Sequence, residues 1–587
     1  MNSNLEKIRH TAAHVLAQAV LELYPQAKLT IGPPIAEGFY YDFDMAGKTF
    51  SEDDLQKLEE KMKNIIDQDQ RLNQYKLPSA EAIKFLEKQH QPYKVEMAEQ
   101  LQASGELELG FYEMVAGKDE VRFVDLCKGP HVKSTKEIGG FKLLKVAGAY
   151  WRGDEKNAML QRIYGTAFAS QKEVADYLKR LALAEARDHR KLGVQLELFV
   201  FSDLVGPGMP LYTPRGATIR QMIIDYSNEL QQKIGYQVVH TPNINKAELF
   251  KVSGHYDKFK DNMLEVKSHY TEEQYFLKPM NCPQHTQIYA AKMRSYKDLP
   301  IKIADFANLY RDEKPGELSG LTRLRSFSQD DGHCFCREDQ IEEEFTAVLG
   351  MIEQALKTYG MEYWIRLSLS DPKNQDKYIG EVKTWQKAEK ILEDILKKNK
   401  LKYQKAEGEA AFYGPKMDVI ANDAIGREWQ ISTIQLDFGM PQRFGLVYID
   451  SDGKEKMPVM IHRAIVGSPE RFMAILIEHY AGAFPVWLAP VQAQVIPVGE
   501  DFLPVAQKLA DELAAAGMRV EVDTVNETVG YKIRKAEKFK VPYMLVIGQK
   551  EIDSGQLNVR IRGQKETESM SQADFIARIK KEVDQRL

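Results

Sequence analysis

The sequence predicts a multidomain α/β chain, and three observations carry that reading. At 587 residues it is too long for one hydrophobic core and should hold several domains. Its patterning changes character near residue 170 and again at Trp487-Leu-Ala-Pro490. Beyond the second change, strand-like and helix-like stretches alternate, which suggests a small α/β domain with a mostly parallel sheet. Composition excludes other classes. The chain carries 43 % hydrophobic and 28 % charged residues, with no long apolar span and no signal-peptide pattern at its start. A cytoplasmic protein without a membrane partner is expected. Four cysteines make no disulfide framework in a chain this long, although Cys334 and Cys336 are near neighbours. The net charge of −5 gives no sign of nucleic-acid binding, so any RNA contact must come from local patches.

Up to about residue 170 the chain mixes a helix, turns such as Ile31-Gly-Pro-Pro34 and strand-like runs such as Phe141–Val146. Gln171–Gly193 is helical in pattern, with Val174, Tyr177, Leu178 and Leu181 on one side, and reads as a connecting helix. The expected domains are therefore 1–170, the connection 171–193, then 194–485 and 486–587. In the third, an amphipathic helix carries Ile219, Met222, Ile223, Tyr226 and Leu230 on one face and runs into the short strand Gly235–Pro242. Ile303–Glu313 and the stretch that follows read as a long antiparallel hairpin with Arg311 at its edge.

Arg323, Arg325, Phe327, Gln329, Asp331 and His333 alternate, so one strand face would carry all six. A core strand would place Val or Ile there. The row suits a groove for a substrate with a phosphate end and an amine end. Downstream, Ser468 is a good N-cap and Pro469 fits the first helical position. Arg471 then falls in the first turn, where the dipole disfavours a cation and a polyphosphate would offset the mismatch. In the last domain, alternating elements are expected at Ala493–Val498, Phe502–Ala516, Arg519–Val522, Val529–Phe539 and Tyr543–Ile547. The fourth is a basic helix with Lys532, Arg534, Lys535 and Lys538, followed by Lys540.

Two groups of residues have the chemistry of metal ligands. Cys282 lies in Lys278-Pro-Met-Asn-Cys-Pro283, His333 closes Ser328-Gln-Asp-Asp-Gly-His, and His462 ends Pro458-Val-Met-Ile-His. One thiolate and two imidazoles suit zinc and leave a fourth tetrahedral position open. No local CxxC or HExxH joins them, so spacing alone does not establish the site. His10 and His14 lie four apart, on one helix face, and Cys127 and His131 flank Lys-Gly-Pro just after Asp125. Residue types alone favour a metal there too.

Helix, strand and proline, then a hairpin with arginine, then a strand into a helix with arginine are the three ordered motifs of the class II aminoacyl-tRNA synthetases. KPMNCP, SFSQDDGH, AFYGPK and MIHRAIVGSPERF, in that order, closely resemble bacterial threonyl-tRNA synthetases from Ile8 onward. The resemblance implies a central antiparallel class II sheet with flanking helices, an N-terminal α+β editing domain and a C-terminal α/β anticodon-binding domain. It implies threonine activation with ATP and Mg²⁺, transfer to tRNA(Thr), one catalytic zinc on Cys282, His333 and His462, and a homodimer. In that reading Arg311 contacts the α-phosphate and the amino-acid carboxylate, and Arg323 holds the outer phosphates. Arg471 and Phe327 enclose the adenine, Glu313 reads its amino group, Gln430 belongs to the same shell, and Lys416 matches a position on the active-site side. Gln329, Asp331 and Tyr413 face threonine, with Thr433 and Gln435 as further contacts, and His255 matches a histidine that assists transfer. Editing of seryl-tRNA(Thr) falls to His10, His14, Lys94, Asp125, Cys127 and His131. In threonyl enzymes this site works without metal, whereas alanyl relatives hold zinc there. Asn526, Arg534, Glu551 and Arg560 match anticodon-reading positions, and a carboxylate and a guanidinium can both read base edges.

Three departures stand out. Many bacterial members carry a further small domain ahead of the editing helix, whereas this chain starts almost at that helix. Gln284 stands where glycine is common, which bears on backbone freedom beside Cys282. Lys540 replaces an arginine and lacks the planar fork. Two other readings compete: a synthetase-like RNA-binding regulator without catalysis, and a class II enzyme for serine or proline. Retention of Arg311, Arg323, Arg471 and all three ligands speaks against the first, and the Cys/His/His set against the second.

Overall fold

The structure, a computed structural model, describes residues 3–587 and falls into two compact units, Met1–Ala182 and Leu183–Leu587. In the first unit the helix Ser3–Leu23 is buried along its length from Ile8 to Val20. Ala12, Ala13, Ala17 and Ala19 have no exposed surface, and side chains this small let the helix lie close against a five-stranded antiparallel sheet. The sheet runs Lys28–Leu29, Gly38–Asp44, Met159–Phe168, Gly140–Tyr150, with Pro34–Ile35 paired beside the second strand. A three-stranded antiparallel sheet, Arg71–Pro78, Glu108–Ala116 and Glu120–Leu126, brings in the segment that carries Asp125.

The connecting segment is two helices, Gln171–Ala186 and His189–Gln195, where periodicity predicts one. Asp188 breaks the pattern: its carboxylate accepts the Arg190 N–H at 2.8 Å and caps the second helix.

The second unit is organised by an eight-stranded sheet in the order Gln237–Val238, Ile301–Tyr310, Ser326–Cys336, Val459–Ala464, Glu428–Asp437, Lys416–Asn422, Glu362–Leu369, Tyr403–Glu407. All neighbours are antiparallel except the outermost pair at each edge. One face packs into the main core, where Cys334, Ile461, Ile434 and Val419 meet the helices Pro214–Lys233, Ile341–Thr358 and Pro469–His479. The alternate residues of the same strands face the opposite side and build the cleft described below.

The expected hairpin is present as Ile301–Tyr310 paired with Ser326–Cys336. Arg323 and Arg325, however, precede the strand. The Arg325 and Ser326 N–H groups both go to Gly208 O, at 2.9 and 3.3 Å, so the backbone there is committed to another loop. The Pro214–Lys233 helix turns Ile219, Ile223, Tyr226 and Leu230 into the chain's own core.

The C-terminal part has its own core and a five-stranded sheet, Val520–Val522, Ala493–Pro497, Tyr543–Ile547, Leu557–Ile561, Thr567–Met570. The helices Leu503–Ala515 and Val529–Lys538 lie where expected. The sheet is mixed rather than mostly parallel: Leu557–Ile561 pairs antiparallel with Tyr543–Ile547 and then with Thr567–Met570, the latter through a short hairpin that enforces antiparallel pairing.

Candidate active site

A cleft of about 400 Å³ opens on the exposed side of the large sheet, a volume suited to a small-molecule substrate. Its lining includes all of Cys282, Arg311, Glu313, Arg323, Phe327, Gln329, Asp331, His333, Tyr413, Lys416, Gln430, Thr433, Gln435, His462 and Arg471. Phe327, Gln329, Asp331 and His333 alternate along one strand, so period two brings them to the same face. Thr433 and Gln435 share the face of a second strand. Gln430 would point away from it in a regular ladder, but the register shifts there: Val419 pairs with Ser432 and Ile420 with Gln430. That bulge at Ile431 returns Gln430 to the cleft.

At one end of the cleft Cys282, His333 and His462 are all buried, and their ligand atoms lie within 4.8 Å of one another. His333 Nε2 and His462 Nδ1 are 3.0 Å apart. The outer nitrogen of each ring is engaged: His462 Nε2 lies 3.0 Å from Asp437 Oδ2, and His333 Nδ1 lies 2.6 Å from His285 Nδ1. A carboxylate only accepts, so His462 carries its hydrogen on Nε2 and turns the Nδ1 lone pair inward. Two imidazoles and a thiol with outer partners of this kind are a donor set that fits zinc. Burial pushes the Cys282 thiol well up and the His333 imidazole well down, so without a cation both stay neutral. Behind the cluster, Asn281 Nδ2 lies 2.9 Å from His285 Nε2, and Lys278 Nζ donates to Asn281 Oδ1 at 2.9 Å.

The other end is cationic. Arg311 and Arg471 each hold a buried Nε without a hydrogen-bond partner among the described residues, and burial lowers both guanidinium pKa values. Guanidiniums in this state call for an anion. Arg311 lies 5.1 Å over the Phe327 ring. Arg323 reaches the cleft from the loop and bonds Glu313 at 2.8 Å and Glu317 at 2.7 Å. Asp331, at the cluster end, has its carboxyl pushed up to about 6, by burial above all.

Several organising groups escape a sequence reading. Fully buried Asp418 accepts from Lys416 Nζ at 2.5 Å, Gln430 Nε2 at 2.8 Å and Thr433 Oγ1 at 2.9 Å, and so orients three lining residues at once. Its one available signal is alternation with Lys416. His285 could have been suspected from its place three residues after Cys282. Asp437 carries no local mark. Gln284 needs no special backbone: it sits in the helix Cys282–Ala290, and its amide donates to Pro242 O and Asn245 Oδ1, both at 2.7 Å. His255 lies outside the lining, with no exposed surface. Its Nδ1 bonds Ser253 Oγ at 2.8 Å, and its Nε2 stands 2.9 Å from Met280 Sδ and 3.6 Å from Cys282 Sγ. Burial drops its pKa to about 3.

In the first unit His10, His14, Cys127 and His131 also converge, with ligand atoms within 4.8 Å. Cys127 Sγ lies 3.3 Å from His10 Nε2 and 3.4 Å from His131 Nε2. Pro130 O receives the His10 Nδ1–H at 3.2 Å, which leaves His10 Nε2 as a base facing the thiol. Beside them, buried Lys94 pairs with Asp125 at 2.6 Å, and the Tyr41 hydroxyl donates to the same carboxylate at 2.7 Å. Burial raises the Cys127 thiol to about 11 and lowers the imidazoles.

In the C-terminal part Asn526 and Arg534 are exposed before and on the helix Val529–Lys538, and the Arg560 guanidinium lies 3.5 Å from Glu537 of that helix. The Glu551 carboxylate accepts the Gly548 N–H at 3.0 Å and caps a short helix. Lys532 does not belong to a solvated basic face: it is buried and donates to Pro497 O at 3.1 Å.

Comparison with known proteins matches this anatomy. Residues 264–480 match the tRNA synthetase class II core domain (G, H, P, S and T). Residues 492–582 match an anticodon binding domain, and residues 112–164 match the threonyl and alanyl tRNA synthetase second additional domain. The threonine–tRNA ligase of Rubrobacter xylanophilus is 47% identical over 99% of this chain and 89% of its own. That of Acetivibrio thermocellus is 48% identical over 97% and 87%. The solved RNA binding domain of threonyl-tRNA synthetase from Cryptosporidium parvum Iowa II aligns with a TM-score of 0.64 at 37% identity, over 67% of this chain and 98% of that one. Identity of this order along nearly the whole sequence, on a class II core, leads to one conclusion: the chain belongs to the threonine–tRNA ligase family of class II aminoacyl-tRNA synthetases.

Proposed function

We propose that the chain activates threonine with ATP, passes it to tRNA(Thr), and hydrolyses mischarged seryl-tRNA(Thr) in its N-terminal unit. The observation that carries this reading is a single cleft with two arginines at one end, whose buried Nε atoms lack a partner among the described residues, and the Cys282/His333/His462 cluster at the other. A substrate spanning it presents phosphate to the first and an amino alcohol to the second.

In activation a threonine carboxylate oxygen attacks the α-phosphorus, and the bond to the bridging oxygen breaks to release pyrophosphate. Such displacements depend on positioning and charge stabilisation. Arg311 steadies the carboxylate and the α-phosphate, Arg323 the outer phosphates that arrive with Mg²⁺, and Arg471 with Phe327 encloses the adenine, whose amino group Glu313 accepts from. Gln430 lines the nucleotide side, Lys416 lies beside it on the same Asp418 carboxylate, and Thr433, held by that carboxylate too, and Gln435 are further contacts to threonine. Cys282, His333 and His462 would hold zinc, which supplies a Lewis-acid position able to take the amino and hydroxyl groups of threonine. Asp331 accepts from that hydroxyl, and Gln329 and Tyr413 contact the amino end. Valine lacks the hydroxyl and is rejected by roughly 10⁴-fold or more, whereas serine lacks only a methyl and is admitted. Asn526, Arg534, Glu551 and Arg560 read the anticodon. His255 assists transfer to the tRNA from its place beside Met280 and Cys282.

ATP–pyrophosphate exchange measured with each of the twenty amino acids tests this. Threonine should drive the fastest exchange, and Arg471→Ala should lower it by about 10²–10³-fold. Exchange with no amino acid would favour an RNA-binding regulator; faster exchange with serine or proline would make it a different class II enzyme.

The reading includes a cytoplasmic homodimer with twofold symmetry. Strand Gln237–Val238 ends the sheet, and Val238 in it and Ile244 a few residues on remain exposed. No helix among the described residues is long and apolar enough to cross a membrane. Light scattering at micromolar concentration should return twice the mass of one chain; a monomer with full activity contradicts the dimer.

A further inference from the structure

His189 opens the helix His189–Gln195, is 4 % exposed, and has no part in the reading so far. Its Nδ1 lies 2.6 Å from Glu478 Oε1, and its backbone N–H donates to the same oxygen at 3.1 Å. A carboxylate only accepts, so Nδ1 carries the hydrogen and Nε2 keeps its lone pair. That lone pair accepts the Leu321 N–H at 3.1 Å. Asp188, His189 and Glu478 are close enough together to hold a metal, but both ring nitrogens are occupied and Glu478 also pairs with Arg427. The group is a joint, not a ligand set.

The loop is shaped to receive the ring. Gly320 has φ +47, and a Cβ at that position would lie 2.1 Å from His189 Nε2. Only glycine leaves the imidazole this room and adopts this backbone readily. What the joint connects is the two arginine-bearing segments of the cleft. Leu321, Thr322 and Arg323 line the cleft directly after the pinned peptide. Glu478 stands on the helix Pro469–His479, which carries Arg471 in its first turn. Residues 311–325 belong to no named strand, and the Ser319–Arg323 bridge closes the turn that contains Leu321, so a fixed contact at Leu321 holds the turn that presents Arg323.

We propose that His189 is a positioning residue for the nucleotide: its neutral imidazole pins the Gly320–Leu321 peptide to the helix bearing Arg471 and so presents Arg323 to the phosphates. This rests on the assignment of Arg323 and Arg471 to ATP. The test is threonine-dependent ATP–pyrophosphate exchange, with the two KM values and the melting temperature measured separately. His189→Ala removes the acceptor and leaves the Leu321 N–H unpaired, so the KM for ATP should rise about tenfold. The KM for threonine should stay within about twofold, since the cluster end of the cleft is untouched. Gly320→Ala, which keeps the imidazole but denies it space, should give the same split. His189→Gln, whose amide oxygen reaches the Nε2 position, should recover most of the ATP KM. An ATP KM unchanged in both His189→Ala and Gly320→Ala, while Arg323→Ala raises it, overturns the positioning role. So does a parallel rise of both KM values that follows the loss in melting temperature. An unchanged ATP KM in Arg323→Ala instead overturns the nucleotide assignment of the loop, and this proposal with it.

Discussion

Cys282→Ala is expected to strip the protein of its metal and of threonine activation together. The parent should carry about one tightly bound zinc per chain, as an open three-ligand site requires. Removing the thiolate leaves two imidazoles, His333 and His462, too few to retain the cation. Lewis-acid stabilisation is worth several kcal/mol, so threonine-dependent exchange should fall by about 10³-fold. The helix Cys282–Ala290 should survive, because the substitution removes only the sulfur and leaves a good helix former at its first position. Asp437→Asn is the milder companion. It weakens the support of His462 Nε2 and should lower zinc affinity by about 10–100-fold. Metal content by atomic emission, beside the exchange assay, reads both variants. Full threonine-dependent exchange in protein shown to be zinc-free would falsify the metal reading.

His14→Ala and Cys127→Ala should instead leave threonine activation near the parent rate and abolish clearance of seryl-tRNA(Thr). The two residues belong to Met1–Ala182, a compact unit distinct from the one with the cleft. Hydrolysis of the ester should slow by at least about 10²-fold, the usual cost of losing positioned proton-transfer groups, and seryl-tRNA should accumulate. Exclusion of threonine by its extra methyl makes this site the second sieve to the first. Chelation separates the two sites further: it should stop activation and spare hydrolysis of pre-formed seryl-tRNA. If chelation reversibly blocks hydrolysis and zinc restores it, then His10, His14, Cys127 and His131 hold a working metal. If either variant clears seryl-tRNA as fast as the parent, the N-terminal unit is not the editor.

What was legible in the sequence is what local chemistry encodes. The cap at Ser468 with Pro469 behind it, the alternation of Phe327, Gln329, Asp331 and His333, and the apolar face of the Pro214–Lys233 helix are short-range patterns, and each appears as read. The strand and helix positions between 493 and 547 followed in the same way, because a period of two or 3.6 acts over a few residues. Where the reading failed, a distant partner had intervened. Arg323 and Arg325 left the strand because Gly208 takes the backbone at 325 and 326. The last sheet is mixed because strand Leu557–Ile561, beyond the stretch read from periodicity, adds antiparallel to Tyr543–Ile547.

By itself, then, the sequence determined which residue types are available: a thiol and two imidazoles of the kind that ligate a cation, three arginines expected at the phosphates and the adenine, and a second histidine–cysteine group near the N-terminus. Tertiary structure alone decided how those groups are held. Asp437 meets His462 from 25 residues away, Glu478 meets His189 from 289, and His189 meets Leu321 from 132. Asp418 gathers Lys416, Gln430 and Thr433 only because a bulge turns Gln430 inward. The physical reason is that buried polar groups must be satisfied wherever the folded chain supplies a partner. Those partners are chosen by proximity in space, which leaves no period or spacing in the sequence to read.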